Sequence, residues 1–224
     1  DLIFLSLERV ESLRKRIWEE FFSKSQSKNE RELKEIIKFI PQLREEAIAL
    51  LLKKFPSNWN LRFAIKWIDS KEKKEELAEI LLEKNPTQDD MIFILERVES
   101  FRNIVWEKLQ EKKISNGDLR YIIRWFFSLR EEAGKILLYK NPDKKDLECI
   151  IKLVPSPSLK EEAAKKILFQ NPNKEDLLFI LKMINSEIIK KEAGSLLLSK
   201  KLSDKELEFV ANSVPSLRQD VENI

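Results

Sequence analysis

The sequence predicts an all-α fold, a right-handed α-solenoid of about eight two-helix repeats. An apolar residue that opens a helical segment recurs every 28 or 30 residues, a period typical of stacked helical repeats. Each interval holds two segments with the apolar periodicity of a half-buried helix. Only three glycines occur in 224 residues, which favours long helical segments. The opening apolar residues are Ile3, Leu33, Leu61, Met91, Leu119, Leu147, Leu177 and Leu207.

The first helix of each repeat is predicted from apolar residues at repeat positions 1, 4, 5 and 8, as in Leu33, Ile36, Ile37 and Ile40. This spacing is the 3.6-residue period of a helix that buries one side. A small polar residue precedes each first helix, three residues ahead of an acid or amide, which is the spacing of a capping box. These pairs are Asn29/Glu32, Ser57/Asn60, Thr87/Asp90, Ser115/Asp118, Asp143/Asp146, Asn173/Asp176 and Ser203/Glu206.

The second helix of each repeat is predicted to begin with the same cap spacing, at Ser128, Ser158 and Ser216. Its apolar residues recur at i and i+4. One repeat position of the second helix holds glycine in two repeats (Gly134 and Gly194) and residues from alanine to tryptophan in the others. We expect the small residues to allow close helix packing. From the third repeat onward, the third, sixth and seventh have 30 residues, with two extra residues at the turn between their helices.

We interpret residues 1–224 as one repeat domain whose last repeat is truncated, because a second helix begins at Ser216 and the chain ends before its apolar leucine position. The N-terminal repeat lacks a full cap, and we expect its apolar residues Leu2, Ile3, Phe4 and Leu5 to lie at the edge. Terminal repeats normally carry polar outer faces. We therefore expect the chain to be a segment of a larger protein or to associate end to end.

Composition indicates a binding protein and not an enzyme. The chain has no histidine and one cysteine, Cys149, so histidine-dependent catalysis, a zinc cluster and an internal disulfide are excluded. No glycine loop that could cradle a phosphate is present. We therefore predict no catalytic, cofactor-binding or metal site, no membrane span and a cytoplasmic location. The net charge of +3 does not by itself indicate nucleic acid or membrane binding.

The second helices resemble HEAT-type repeats, in particular the short form of about 30 residues. Leu43-Arg44-Glu45-Glu46-Ala47, which leads to Leu51, is similar to the hydrophobic-Arg-x-x-Ala-x-x-x-Leu motif of that family. The segments at Leu129 and Leu159 resemble the motif in the same way. The resemblance, which extends to armadillo-like helical repeats, covers nearly the whole chain and implies an α-solenoid. Members of the family serve mostly as protein-binding scaffolds.

An acidic face on the second helices is the first candidate site. Stacked repeats would align these glutamates in a groove that attracts a basic or amphipathic protein segment. The leading prediction is therefore a protein-interaction scaffold. The partner-binding residues of this prediction are Glu46, Glu76, Glu79, Glu83, Glu107, Glu111, Glu132 and Glu162.

A basic and aromatic ridge on the first helices is the alternative, and it would bind nucleic acid through stacking and phosphate contacts. Trp59, which we place in a loop, is a further exposed aromatic candidate. A third interpretation is a rigid spacer without a ligand. The nucleic-acid-binding residues would be Arg62, Lys66, Trp67, Arg120, Arg124 and Trp125.

A basic residue also occupies the second position of every second helix. We interpret this row as structural, with each head group bonded to a carbonyl or acid of the adjoining repeat. The alternative is a row that tracks phosphates. Its members are Arg14, Arg44, Lys74, Arg102, Arg130, Lys160, Lys190 and Arg218.

Overall fold

The computed structural model describes Arg16 and residues 29–224. In this part of the chain every regular element is helical and no strand occurs, so the predicted all-α class is confirmed. Within residues 29–224, fourteen α-helices form seven consecutive pairs, and each of the apolar residues from Leu33 to Leu207 that we identified lies on the first helix of a pair. Residues 1–28, which hold Ile3 and the edge residues Leu2, Phe4 and Leu5, lie outside the described residues apart from Arg16.

The two helices of every pair contact each other. None of the described helices combines the length and the apolar character that a membrane crossing requires. The first helices are α1 (Glu30–Phe39), α3 (Asn58–Trp67), α5 (Gln88–Arg97), α7 (Asn116–Trp125), α9 (Lys144–Leu153), α11 (Lys174–Met183) and α13 (Asp204–Ser213). The second helices are α2 (Arg44–Lys54), α4 (Lys71–Glu83), α6 (Arg102–Glu111), α8 (Arg130–Tyr139), α10 (Pro157–Phe169), α12 (Glu187–Leu198) and α14 (Arg218–Glu222).

The chain divides into two compact units, one that ends at Lys113 and one that runs from Ile114 to Ile224. The described part of the first unit contains α1 to α6, and the second unit contains α7 to α14. Each unit buries its own apolar helix stripes. The opening apolar residues are buried at Leu33, Leu61 and Met91 in the first unit and at Leu119, Leu147 and Leu177 in the second.

The caps of the first helices confirm the sequence prediction. Each of the seven helices begins directly after its predicted cap residue. In α9 the two bonds of the capping box are reciprocal: Asp146 N donates to Asp143 Oδ1 at 2.8 Å and Asp143 N donates to Asp146 Oδ2 at 2.9 Å. The box is not reciprocal at Ser57, because the Asn60 amide donates instead to Phe55 O at 2.9 Å.

The predicted caps of the second helices are wrong. Ser128 and Ser216 lie inside short 3₁₀ segments, and α8 and α14 begin two residues later without a side-chain cap. Ser158 is the second residue of α10. The serines are not needed as caps because the backbone closes the turn itself, as where Leu129 N donates to Phe126 O at 3.0 Å.

Repeat length selects between two kinds of turn. The shorter repeats and the last pair place a 3₁₀ segment before the second helix, at Pro41–Leu43, Glu99–Phe101, Phe127–Leu129 and Pro215–Leu217. In the three 30-residue repeats whose turns the structure describes, the second helix begins directly, at Lys71, Pro157 and Glu187, and is 12 or 13 residues long. The two extra residues therefore lengthen the start of the helix.

Candidate functional site

An open groove of about 250 Å³ lies on the first helices of the first unit. Four aromatic rings and three cationic side chains line it, and five of these seven residues belong to α3. The other two come from α1 and α5, so three consecutive repeats build one surface. The lining residues are Lys38, Trp59, Arg62, Phe63, Lys66, Trp67 and Phe93.

Helix α3 brings its groove residues together because they are three or four positions apart and share one face. Ser57 caps this helix, and its Oγ accepts a hydrogen bond from Asn60 N at 3.2 Å. Trp59 therefore lies in the first helical turn, and its predicted position in a loop is wrong. Its side chain is nonetheless 65% exposed, as expected, since it points away from the buried stripe that begins at Leu61.

The cations of the groove lie beside its rings. The guanidinium carbon of Arg62 is 5.9 Å from the centre of the Trp59 ring and 5.0 Å from that of Phe93. Lys66 Nζ is 5.9 Å from the centre of the Trp67 ring. These distances are within the range of cation–π attraction. The groove therefore presents flat apolar surfaces and positive charge to the same ligand.

Arg62 is held in place by the next repeat. Its Nη1 lies 3.4 Å from Asp90 Oδ1, and the Asp90 side chain is only 5% exposed. Burial alone would raise the pKa of Asp90, but hydrogen bonds from Thr87 and Asn58 and the charge of Arg62 outweigh it and lower the pKa. Asp90 is thus ionised at neutral pH and orients Arg62. Lys66 is exposed, so its charge is open to a ligand.

The second half of the predicted basic ridge lies on α7, in the other unit. Arg120 contacts the fully buried carboxylate of Asp146, and its side chain is 34% exposed. Arg124 is exposed and Trp125 is 65% exposed. The structure therefore brings Arg62, Lys66 and Trp67 into one groove and places Arg120, Arg124 and Trp125 elsewhere.

Helix α7 also lacks the ring walls of the groove on α3. Gly117 stands at the repeat position of Trp59, and Cys149 of α9 stands at the position of Phe93. The Cys149 thiol is buried, and desolvation raises its pKa, which disfavours the reactive thiolate. Two of the four rings that line the groove on α3 therefore have no aromatic counterpart at the equivalent positions of α7 and α9.

Three acids of the predicted capping boxes have a second role that was not predicted: they are buried and contact the preceding helix pair. Asp90, Asp146 and Asp176 cap their own helices, and each also binds a side chain of the preceding pair. Asn116 Nδ2, for example, donates to Asp146 Oδ2 at 2.7 Å. The signal in the sequence was a cation or amide about one repeat before each acid. These contacts show that Arg62 and Arg120 have a packing role as well as being candidate ligand-binding residues.

The basic row of the second helices has the expected structural role at its arginines. The Nε of each donates to a carbonyl seven residues earlier in its own pair, and the expected contact with the adjoining repeat is present at Arg44, whose Nη1 donates to Asp69 Oδ2 at 2.5 Å. The Nε bonds join Arg44 to Ile37 (3.0 Å), Arg102 to Leu95 (3.3 Å), Arg130 to Ile123 (2.8 Å) and Arg218 to Ala211 (3.4 Å). Arg14 lies outside the described residues.

The predicted acidic face is divided between the two units. Glu46, Glu76, Glu79, Glu83, Glu107 and Glu111 lie on α2, α4 and α6 and are all exposed. Glu132 and Glu162 lie on α8 and α10 of the second unit, where Glu162 accepts a hydrogen bond from Tyr139 at 3.1 Å. The densest acidic stripe is therefore the one on α4 and α6.

A pocket of about 290 Å³ lies between α4 and α6 at this stripe. Glu83 and Glu111 line it together with Leu82, Pro86 and Met91. Lys112, which also lines it, donates its Nζ to Pro86 O at 2.7 Å. The pocket thus joins apolar and charged surface.

Within the described residues, no group of three or more Cys, Asp or Glu side chains has the geometry of a metal site. Comparisons with protein-family models, with curated proteins and with solved structures gave no match. The geometry of the groove and of the charged faces is therefore the basis for the function proposed below.

Proposed function

We propose that this chain is a non-enzymatic helical-repeat binding module whose groove on α1, α3 and α5 binds single-stranded nucleic acid. The proposed architecture is the right-handed, HEAT-like solenoid of about eight repeats predicted from the sequence. The cytoplasmic location predicted from the lone cysteine belongs to the same proposal.

The observation that carries this proposal is the meeting of four rings and three cations in one open groove. Aromatic side chains stack on bases of any sequence and contribute about 1–3 kcal/mol per base. Lys66 is exposed beside the rings, where a phosphate next to a stacked base would find positive charge, and Lys38 and Arg62 lie in the same groove, paired with Glu35 and Asp90. The bases of a duplex are stacked on each other, so the groove favours single strands.

Titration of a labelled single-stranded oligonucleotide, followed by fluorescence anisotropy, tests the groove. We expect Trp59→Ala to weaken binding about 5- to 150-fold, because one stacking platform is lost. Lys66→Ala should reduce the slope of log K against log salt by about 0.7, the value for one phosphate contact on a single strand. Both side chains are exposed, so neither change should unfold the chain.

Trp125→Ala is the matched control, because Trp125 is as exposed as Trp59 at 65% but lies outside the groove. We expect it to leave oligonucleotide affinity unchanged. Equal losses in the two tryptophan variants, or equal affinity for a duplex of the same sequence, would contradict the proposal.

The acidic stripe on α4 and α6 supports a second candidate function, the binding of a basic protein segment. Glu79 and Glu83 lie one turn apart on α4, and Glu107 and Glu111 lie one turn apart on α6. All four are exposed, so they present negative charge to a lysine-rich peptide.

A lysine-rich peptide titrated by calorimetry tests this second function. We expect Glu83→Gln with Glu111→Gln to weaken peptide binding, and Glu132→Gln on α8 to leave it unchanged. A chain that binds neither oligonucleotide nor peptide would instead fit the third interpretation, a spacer.

A further inference from the structure

On the exposed face of the second helices, two repeat positions carry glutamates on α4 and α6 of the first unit and lysines or aromatic residues on α8 and α10 of the second. The two positions lie four residues apart, which is about one helical turn. On the second helices α4, α6, α8 and α10 they hold eight residues, all of them exposed. On α4 and α6 they form a glutamate array: Glu79, Glu83, Glu107 and Glu111. On α8 and α10 they form a lysine–aromatic array: Lys135, Tyr139, Lys165 and Phe169.

The lysine–aromatic array is a continuous surface across two helices. Helices α8 and α10 contact each other, and the Tyr139 hydroxyl on α8 donates to Glu162 Oε2 on α10 at 3.1 Å. Tyr139 is 64% exposed and Phe169 is 85% exposed. Large rings that face solvent mark an interaction surface. Lys135 and Lys165, each with a glutamate three residues before it (Glu132 and Glu162), offer two positive charges to an acidic partner.

The glutamate array has the complementary features. It carries four carboxylates at the same two repeat positions, so the two arrays share the spacing of one helical turn along each helix. The α4–α6 pocket is lined by Glu83 and Glu111, by Lys108 and Lys112, and by Leu82, Pro86 and Met91, of which only Leu82 is partly exposed. This surface therefore offers Leu82 as an apolar contact and Glu83 and Glu111 as charge partners to a phenylalanine ring with lysine neighbours.

We propose that copies of this chain associate head to tail, with the glutamate array of one molecule against the lysine–aromatic array of the next. Lys135 and Lys165 pair with the glutamates, and Phe169 enters the α4–α6 pocket. This inference rests on the second candidate function and names its partner as the chain itself. Because the two surfaces differ, the contact is heterologous and can add further copies.

Sedimentation velocity over a concentration series at low salt tests the association. We expect the wild-type chain to form species larger than a dimer as concentration rises and to dissociate in high salt, because the contact uses exposed charges. Two charge-reversal variants separate the surfaces: Glu83→Lys with Glu111→Lys, and Lys135→Glu with Lys165→Glu. Each alone should weaken association at least about tenfold, since like charges then meet.

An equimolar mixture of the two reversed variants should associate again, because each restores opposite charge to the other. This rescue distinguishes a specific contact from a general effect of net charge. All four replaced side chains are exposed, so circular dichroism should show unchanged helix content in each variant. Failure of the mixture to associate would overturn the proposed pairing.

Phe169→Ser tests the ring, with Phe127→Ser as its control. Phe127 is also strongly exposed, at 73%, and lies in the same unit. We expect Phe169→Ser to weaken association about tenfold and Phe127→Ser to have no effect. Equal effects of the two variants would overturn the role of Phe169.

A wild-type chain that stays monomeric across the concentration series would overturn the whole inference. The second candidate function would remain standing if the lysine-rich peptide still bound and Glu83→Gln with Glu111→Gln still weakened that binding. Loss of both peptide binding and association would instead remove the second function together with this inference.

Discussion

Gly134 and Gly194 are points at which a single missing methyl group permits close packing. A Cβ atom on Gly134 would lie 2.6 Å from Val154 Cγ2, and one on Gly194 would lie 2.7 Å from Leu217 Cδ1. Both distances are shorter than any ordinary carbon contact. The expected close approach at the small residues is therefore confirmed at these two positions.

We predict that Gly134→Ala lowers the free energy of unfolding by about 1 kcal/mol. Alanine favours the helix by about 1 kcal/mol over glycine, but overpacking against Val154 costs about 1–3 kcal/mol. Urea denaturation measures the balance. Gly117→Ala is the control, because its nearest contact would be Ser115 Oγ at an ordinary 3.6 Å. A Gly134→Ala variant about 1 kcal/mol more stable than the wild type would contradict this prediction, because it would show the helix gain of alanine with no packing cost.

Glu206 gives the chain a predicted pH dependence. Lys174 Nζ lies 2.8 Å from one carboxylate oxygen and Ser203 N donates to the other at 2.8 Å. The hydrogen bond from Lys174, followed by those from Ser203, lowers the pKa of Glu206 from 4.5 to about 2. A lowered pKa in the folded state means that ionisation stabilises the fold above pH 4.5, and that this contribution is lost as the pH falls towards 2.

We therefore expect Glu206→Gln to lower the thermal midpoint at pH 7, and the difference from the wild type to shrink between pH 4.5 and 2. Circular dichroism at several pH values measures both midpoints. Glu208→Gln, an exposed position on the same helix, should leave the midpoint unchanged. A difference that stays constant down to pH 2 would rule out the Lys174–Glu206 contact as its source.

At the scale of the element, the turn between paired helices correlates with one side chain. Arg44, Arg102, Arg130 and Arg218 follow the four 3₁₀ segments, and the three turns without such a segment have Lys74, Lys160 and Lys190 at the same position. The guanidinium reaches back to a carbonyl of the first helix and secures the short turn. Because Nε of the guanidinium makes this bond, the two residue types are not interchangeable here.

We predict that Arg130→Lys destabilises the chain by about 1 kcal/mol, the usual value of one hydrogen bond. It would remove the bonds from Nε to Ile123 O at 2.8 Å and from Nη2 to Arg124 O at 3.1 Å. Chemical denaturation measures the loss. Lys160→Arg is the reciprocal control and should be neutral, since its turn has no 3₁₀ segment. Equal and small effects would show that turn length alone sets the geometry.

At the scale of the whole molecule, buried acids link each pair to the one before it. Asp146 is fully buried and accepts hydrogen bonds from Asp143 N, Asn116 and Arg120. In a repeat protein each pair is stabilised mainly by its neighbours. Loss of one such acid should therefore have its largest effect on the two pairs that it joins.

We predict that Asp146→Ala costs about 3 kcal/mol, because Arg120 is left beside an empty site. Hydrogen exchange with mass spectrometry should show faster exchange in α7 and α9 than in α13, relative to the wild type. Asp118→Ala is the control: this cap acid is half-buried and is bonded to Ser115, so about 1 kcal/mol is expected. Uniform acceleration across the second unit would contradict the nearest-neighbour picture.

The candidate groove was predictable only in part. Arg62, Lys66 and Trp67 follow from one helix face in one repeat. Lys38 and Phe93 come from the neighbouring repeats, and sequence spacing does not show which of their residues meet α3. The predicted serine caps of the second helices were also wrong. A helix start can be satisfied either by a serine side chain or by a 3₁₀ turn, and the sequence spacing does not show which of the two forms.

The amino-acid sequence by itself determined the all-α class, the paired helices and the starts of the first helices. These features depend on bonds and contacts within about four residues, which apolar period and cap chemistry record directly. Tertiary structure decided which charged side chains pair with each other between helix pairs, as at Asp90 and Asp146, and which aromatic rings line a common groove. That outcome depends on neighbours about thirty residues away, because a side chain's partner is set by how one pair lies against the next.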